Sequence, residues 1–207
     1  DTIIRKGTFA IVNYLRVQQD SGGAPPEVVA RGMQSVSYFH ELMEKGRHLA
    51  KLSLRACMLL ALPDQVPDMH RITELDLECN VMETLEEGIG LLSELRVLKI
   101  SYNQLRALPA SMAMLSKLEV FEAKYNFLTL LPECIVDLPL RTLCLDSNEL
   151  QELPACMKRL TALTLLSLSN NTIRKISDEV PTGLGNLVQL FLQQNELMLL
   201  PDTIDCM

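Results

Sequence analysis

The chain has 207 residues, 48% of them apolar, 22% charged and 4% aromatic, with a formal charge of −7. That apolar share suits a packed core and excludes wholesale disorder. The acidic balance disfavours a broad basic face for nucleic acid or an anionic membrane, and no apolar run long enough to insert as a helix is present.

In chain order, residues 2–19 place Ile4, Ile11 and Leu15 beside Ile3, Ala10, Tyr14 and Val17, the spacing of an amphipathic helix. No secretory signal pattern is read there. Asp20 to Pro26 is a break rich in Gly and Pro. Pro26 suits the first turn of a second helix reaching Gly46, with Val29, Met33, Val36, His40 and Met43 on one face. Residues 1–48 are therefore expected to form a helical N-terminal cap, or the tail of a preceding helical domain.

From residue 49 a fixed pattern takes over. Leu49, Leu52, Leu54, Cys57 and Leu59 are followed in frame by Ile72, Leu75, Leu77, Asn80 and Met82. The frame recurs at Leu95, Leu118, Leu140, Leu163 and Leu187, with Asn103, Asn126, Asn148, Asn171 and Asn195 in the place of Asn80. Successive starts differ by 23, 23, 23, 22, 23 and 24 residues. The L-x-L core alternates with period two, as a short strand with one buried face does. The Asn falls where the backbone turns, and its amide both donates and accepts, so it can pair turn groups otherwise buried alone. Leu-Pro recurs in the second half of the units, at 62, 108, 131, 153 and 200, with Leu85-Glu86 and Ile176-Ser177 as departures. Proline stops a strand, which predicts extended segments or short helical turns opposite the strands. Cys57 is a weak partner in the Asn position, so the first turn is expected to be less well tied. The pattern breaks off inside a unit at Met207 and the chain opens on Asp1, so a longer native protein is expected.

This pattern, L-x-x-L-x-L-x-x-N/C-x-L over residues 49–207, resembles the leucine-rich repeat family. The resemblance implies an α/β solenoid: a curved parallel sheet on the concave side, short helical or extended convex segments, and seven stacked repeats that bury their leucines only together. The 23-residue unit with Leu-Pro is similar to the intracellular subclass of Scribble-type polarity scaffolds, Ras-effector scaffolds, plant Ras-group-related repeat proteins and Roco proteins.

No nucleophile–base, zinc or phosphate-loop spacing is found, and no catalytic residue, metal or cofactor is expected. Gly88-Ile-Gly90 and Gly183-Leu-Gly185 read as turns of convex segments. Six scattered cysteines suggest free thiols in a reducing, cytoplasmic setting, possible association with the cytoskeleton included. The sequon Asn170-Asn171-Thr172 is of a kind that arises by chance. Cys144 is read as a plain thiol on the concave face.

Stacking places equivalent outward residues about 4.8 Å apart. One row reads Ser53, Asp76, Lys99, Glu122, Cys144, Ser167, Phe191; the next reads Arg55, Glu78, Ser101, Lys124, Asp146, Ser169, Gln193. Arg55 thus faces Glu78, Lys124 faces Asp146, Lys51 lies beside Glu74, and Lys99 falls between Asp76 and Glu122. Such rows serve either as lateral ion pairs or as a partner surface. Before each Asn, Tyr102 and Tyr125 become neighbours, with Phe127 nearby. They are either a binding hot spot or a self-stacked pair that shields the turn. Val97, Val120, Leu165 and Phe191 add apolar groups.

The expected function is a non-catalytic protein–protein interaction module. Its concave face, through Tyr102, Tyr125, Phe127, Lys99, Glu122, Lys124, Val97, Val120, Leu165 and Phe191, would bind a protein partner in intracellular signalling. The resemblance implies a small GTPase, phosphatase or kinase as that partner. The alternatives are a constitutive subunit of a cytoskeletal or ciliary assembly, or a regulatory repeat domain of a larger enzyme. Extracellular receptor repeats are disfavoured because clustered Cys caps are not seen.

Overall fold

A computed structural model of the chain describes residues 27–29 and 49–206. Each repeat contributes one three-residue strand: β2 (Lys51–Ser53), β3 (Glu74–Asp76), β4 (Val97–Lys99), β5 (Val120–Glu122), β6 (Thr142–Cys144), β8 (Leu165–Ser167) and β10 (Gln189–Phe191). All pair in parallel, with β1 (Glu27–Val29) on the outer edge of β2, in the order β1-β2-β3-β4-β5-β6-β8-β10. The short strands β7 (Glu152–Leu153) and β9 (Lys175–Ile176) form a second, two-stranded sheet.

The register is the one the frame requires: Leu52, Leu75, Leu98, Phe121, Leu143, Leu166 and Leu190 lie side by side. From Leu52 to Leu166 these side chains are buried, as are Leu54, Leu77, Ile100, Leu145 and Leu168 two residues on. Side chains on the other pleat face outward, so the sheet is a solenoid with one apolar wall.

The N-terminal expectation is corrected at one place. Glu27–Val29, read as part of a helix from Pro26, is a strand whose Val28 pairs with Leu52. The first repeat would otherwise offer a bare sheet edge, and two consecutive valines favour extended backbone. Pairing overrides the helical spacing. The rest of the two expected helices, residues 1–26 and 30–48, lies outside the described residues.

Opposite the sheet, the convex side consists of short helical turns. Five-residue 3-10 turns cover Glu87–Leu91, Ala110–Met114, Glu133–Asp137 and Ala155–Arg159. Pro109, Pro132 and Pro154 precede three of them with φ between −71° and −63° and extended ψ, and their carbonyls accept the first turn bond. Glu86 and Ser177 fill the same place in the two departing units, with their carbonyls accepting from Ile89 and Val180.

Unit length explains the exceptions. Most units space their two buried convex residues three apart, as Ile89–Leu92 and Met157–Leu160, which suits three residues per 3-10 turn. The 24-residue unit spaces Val180 and Leu184 four apart, and there the turn is α-helical, α1 (Glu179–Gly183). The 22-residue unit drops a residue at the exit, giving Leu138-Pro139-Leu140. Pro139 drives Leu138 to ψ 145°, where the equivalent Leu92, Leu115 and Leu160 have ψ between 53° and 61°. Gly183 packs against the preceding unit so closely that a Cβ would fall 1.7 Å from the Lys158 carbonyl oxygen.

The asparagines join the repeats into one hydrogen-bonded chain. Asn148 Nδ2 donates to Leu145 O of its own repeat at 2.9 Å and to Ala123 O of the preceding one at 2.9 Å. Its Oδ1 accepts from Leu128 N at 3.0 Å. Asn80, Asn103, Asn126, Asn171 and Asn195 repeat this arrangement. Each strand carbonyl from Leu77 to Leu168 thus accepts two asparagine amides. In the first unit Cys57 Sγ donates to Arg55 O, 3.6 Å away within its own turn, and Leu54 O accepts from Asn80 Nδ2 at 3.0 Å.

Asn148→Ala leaves the buried Leu128 N–H without its acceptor and halves the donors to two carbonyls. It should destabilise the array by about 2–4 kcal/mol in urea denaturation; a change below about 0.5 kcal/mol would contradict the ladder's role.

Candidate binding face

The residue before each ladder Asn is held at positive φ: Cys79 58°, Tyr102 59°, Tyr125 53°, Ser147 56°, Asn170 55° and Gln194 56°. Left-handed backbone costs about 1–2 kcal/mol for most residues, and only Asn170 among these is of a type that adopts it readily. Bonds on both sides hold it in place. Tyr102 N donates to Lys124 O and Tyr125 N to Asp146 O, both at 2.8 Å, while the next residue is locked by the ladder. The turn throws the two tyrosine side chains out at the sheet's rim, one strand apart. Their rings stack with centroids 4.4 Å apart and planes 10° from parallel, yet each residue stays 48% exposed. The self-stacked pair and an exposed aromatic platform are therefore one and the same object.

Beside this pair lies an open groove of about 580 Å³. Tyr102, Tyr125 and Lys124 line one side and Phe191 and Gln194 the other, with Asp146, Ser147, Ser167, Ser169 and Asn170 between them. Lys124 Nζ sits 3.2 Å from Asp146 Oδ2. Asp146 Oδ1 accepts from the Ser167 hydroxyl and, at 3.1 Å, from Ser169 N. Burial pulls the Lys124 ammonium down, but Cys144, Asp146 and Glu122 more than reverse this and hold it above its ordinary value.

The other ion pairs read from the rows also form. Lys51 reaches Glu74 at 2.7 Å, and Arg55 pairs with Glu78. Lys99 is in register with Asp76 and Glu122, but among the described residues it makes no ion pair within the 4.0 Å of a salt bridge. Burial raises the Asp76 carboxyl above the usual range, against the Ser53 hydroxyl and the nearby Arg55 and Lys99.

Of the sequence-derived site residues, the structure brings Tyr102, Tyr125, Lys124 and Phe191 together around the groove. Val97 and Val120 pair in register, with Thr142 and then Leu165 beyond them; all are half-buried at the strand starts, outside the groove. Lys99 and Glu122 lie alongside it without lining it. Phe127 is elsewhere: it sits in the loop after Asn126, 43% exposed, with the Arg106 guanidinium 5.9 Å from its ring centroid. Of the groove's polar floor, Asp146 was read from sequence only as the partner of Lys124, and Ser147, Ser167, Ser169, Asn170 and Gln194 were not among the site residues named there. Reading the rows across all repeats as one surface is the signal that finds it.

Cys57, Cys79, Cys144 and Cys156 carry free thiols. Burial, only partly offset by Lys124, pushes the Cys144 thiol up to about 11, so the plain-thiol reading is the one its surroundings favour. Among the described residues no group of three or more His, Cys, Asp or Glu is placed to hold a metal, and no helix is long and apolar enough to cross a membrane.

Residues 139–197 match the family model described as leucine rich repeat. No curated protein matches the sequence. Among solved structures, the chain is similar to a leucine-rich-repeat protein of Leptospira interrogans, with 29% identity and a TM-score of 0.75 over 78% of this chain and 42% of that one. It is also similar to the ectodomain of the Arabidopsis thaliana membrane receptor kinase GASSHO1/SCHENGEN3, solved with Casparian strip integrity factor 2. There the identity is 32% and the TM-score 0.69 over 77% of this chain and 20% of that one. Likeness to an internalin, inlF, of Listeria monocytogenes, at 24% identity and a TM-score of 0.70 over 83% and 48%, is one of fold alone. The chain spans less than half the length of each of these proteins. Together they show the leucine-rich repeat solenoid and support kinship with that family.

At pH 7.5 Cys144 should carry about 100-fold less thiolate than an ordinary cysteine. Because the raised value belongs to the folded state alone, the thiol's contribution to stability is full below about pH 9 and is lost as pH rises toward 11. Iodoacetamide labelling followed by mass spectrometry should find Cys144 labelled slowly in the folded chain and rapidly in urea. Equal rates would contradict its burial.

Proposed function

We propose that this chain is a protein-binding module whose outward sheet face engages a partner in intracellular signalling, a small GTPase, phosphatase or kinase. A leucine-rich repeat solenoid is suited to protein–protein interaction, because it presents a broad face that its own core does not use. The observation that carries the reading is the Tyr102–Tyr125 stack, half exposed at the rim of a groove with Phe191 on its far side. Tyrosines that are rigid, partly desolvated and backed by a neighbour are the composition of a binding hot spot. The intracellular assignment rests on the 23-residue unit with Leu-Pro.

One observation favours a second reading, an extracellular placement. Asn170 of the Asn170-Asn171-Thr172 sequon is exposed, and a receptor ectodomain solved with Casparian strip integrity factor 2 is among the similar structures.

Tyr102→Asn with Tyr125→Asn removes both rings while supplying a residue that tolerates left-handed backbone. The pair should leave thermal unfolding intact and weaken partner binding by about 2 kcal/mol or more. The test is affinity capture of the native protein with partners quantified by mass spectrometry, then titration of the recovered partner. Unchanged affinity removes the tyrosines from the interface. Stoichiometric, salt-resistant partners would indicate an assembly subunit, and a mass shift on glycosidase treatment would indicate the extracellular reading.

A further inference from the structure

Resting on the reading of this face as the partner surface, we infer that the gap over Ser147, between Tyr125 and Asn170, takes one aromatic side chain of the partner as the third ring of the tyrosine stack.

The gap follows from the register. Lys99, Glu122, Cys144 and Ser167 lie side by side on β4, β5, β6 and β8. Tyr102, Tyr125, Ser147 and Asn170 each stand three residues further on, before a ladder Asn, with φ between 53° and 59°. Their side chains therefore leave equivalent backbone, one strand apart, in one line along the rim. The first two places hold rings 4.4 Å apart. Serine is too short to reach their height, and the third place opens into the groove. From Tyr125 to Asn170 is two strand spacings, about 9.6 Å. A flat ring midway would stand about 4.8 Å from either side, a separation at which aromatic rings stack. Asn170 Nδ2 donates to the Ser147 hydroxyl at 3.0 Å, which floors the gap and pins its far wall.

Charge selects an aromatic ring over the other flat side chain, the guanidinium of arginine, which also stacks on tyrosine. Lys124 lines the groove next to Tyr125, and a second cation there would face its ammonium. The carboxylate beside it offers nothing further. Asp146 Oδ1 accepts from the Ser167 hydroxyl and Ser169 N. Asp146 Oδ2 makes no hydrogen bond, but it is buried, 3.2 Å from the Lys124 ammonium, and presents no surface to a group entering the gap. Glu122 lies alongside the groove without lining it. A guanidinium would thus be partly desolvated beside a like charge, with no carboxylate of its own. A neutral ring avoids that cost and keeps the stacking.

The test is panning of a random twelve-residue phage-displayed peptide library on the full chain, followed by fluorescence anisotropy with the synthetic winners. Ser147→Tyr supplies the third ring from the chain itself, at a φ that Tyr102 and Tyr125 already adopt. It should keep the thermal melt and lower the winners' affinity about ten-fold or more. Tyr125→Asn removes the wall against which the ring stacks and should do the same; it decides alone if Ser147→Tyr lowers the melt. Each winner should carry an aromatic residue whose replacement by Leu or by Arg weakens binding about ten-fold or more. Winners that bind equally well to the folded variants, or that accept Leu or Arg in place of the ring, overturn the inference. If those winners still slow hydrogen exchange in β4–β6, the sheet face remains the partner surface and only the third ring falls. A library that yields no winner, or winners that protect only the convex turns, overturns both.

Discussion

The asparagine ladder is the constraint on which the rest of the structure depends. Each amide satisfies one carbonyl of its own repeat and one carbonyl and one N–H of the preceding repeat, so the ladder fixes both the spacing of the repeats and the turn that ends each strand. Its consequence lies one residue upstream. A chain that must place Asn inward after a strand turns through left-handed backbone at the preceding residue, whatever that residue is. Tyrosine is a poor choice there on intrinsic grounds. Its presence at two adjacent repeats puts two rings at one rim in stacking distance, and the strain is borne by bonds that the ladder and sheet supply.

The convex side answers to a different rule. From Asn80 on, strands and ladder repeat one geometry, and the insertion and the deletion both fall opposite them. One residue more converts a 3-10 turn into α1, and one residue fewer is absorbed at Leu138 by the extended conformation that Pro139 imposes. Neither change disturbs the register of the sheet, because Leu143 and Leu166 still pair as Leu75 and Leu98 do. The binding face is therefore insulated from length variation on the other side.

Much of this was legible in sequence, because a repeat reports its own geometry. The leucine frame predicts which side chains are buried, and the rows predict the Lys51–Glu74, Arg55–Glu78 and Lys124–Asp146 pairs. Four things were not legible. Positive φ at Tyr102 and Tyr125 has no local signal, since it is imposed by the following Asn. The strand at Glu27–Val29 is driven by an open sheet edge far along the chain, which helical periodicity does not register. Phe127 sits two residues from Tyr125, but the ladder turn between them sends it to another surface. The groove floor of serines and Asn170 carries no composition that stands out, and it becomes a site only when strands β5 to β10 are placed side by side.

The aromatic rim and the groove beside it thus depend on one buried element, and that element can be measured directly. Native-state hydrogen exchange by NMR should find the Leu105, Leu128 and Leu150 amides, which donate to Asn126, Asn148 and Asn171, exchanging as slowly as the strand amides of the same repeats. That result would mean that the turns open only when the repeats themselves unfold. Exchange orders of magnitude faster at these three amides, with the strands still protected, would mean that the turns open independently. The ladder would then not be what holds the tyrosines in place.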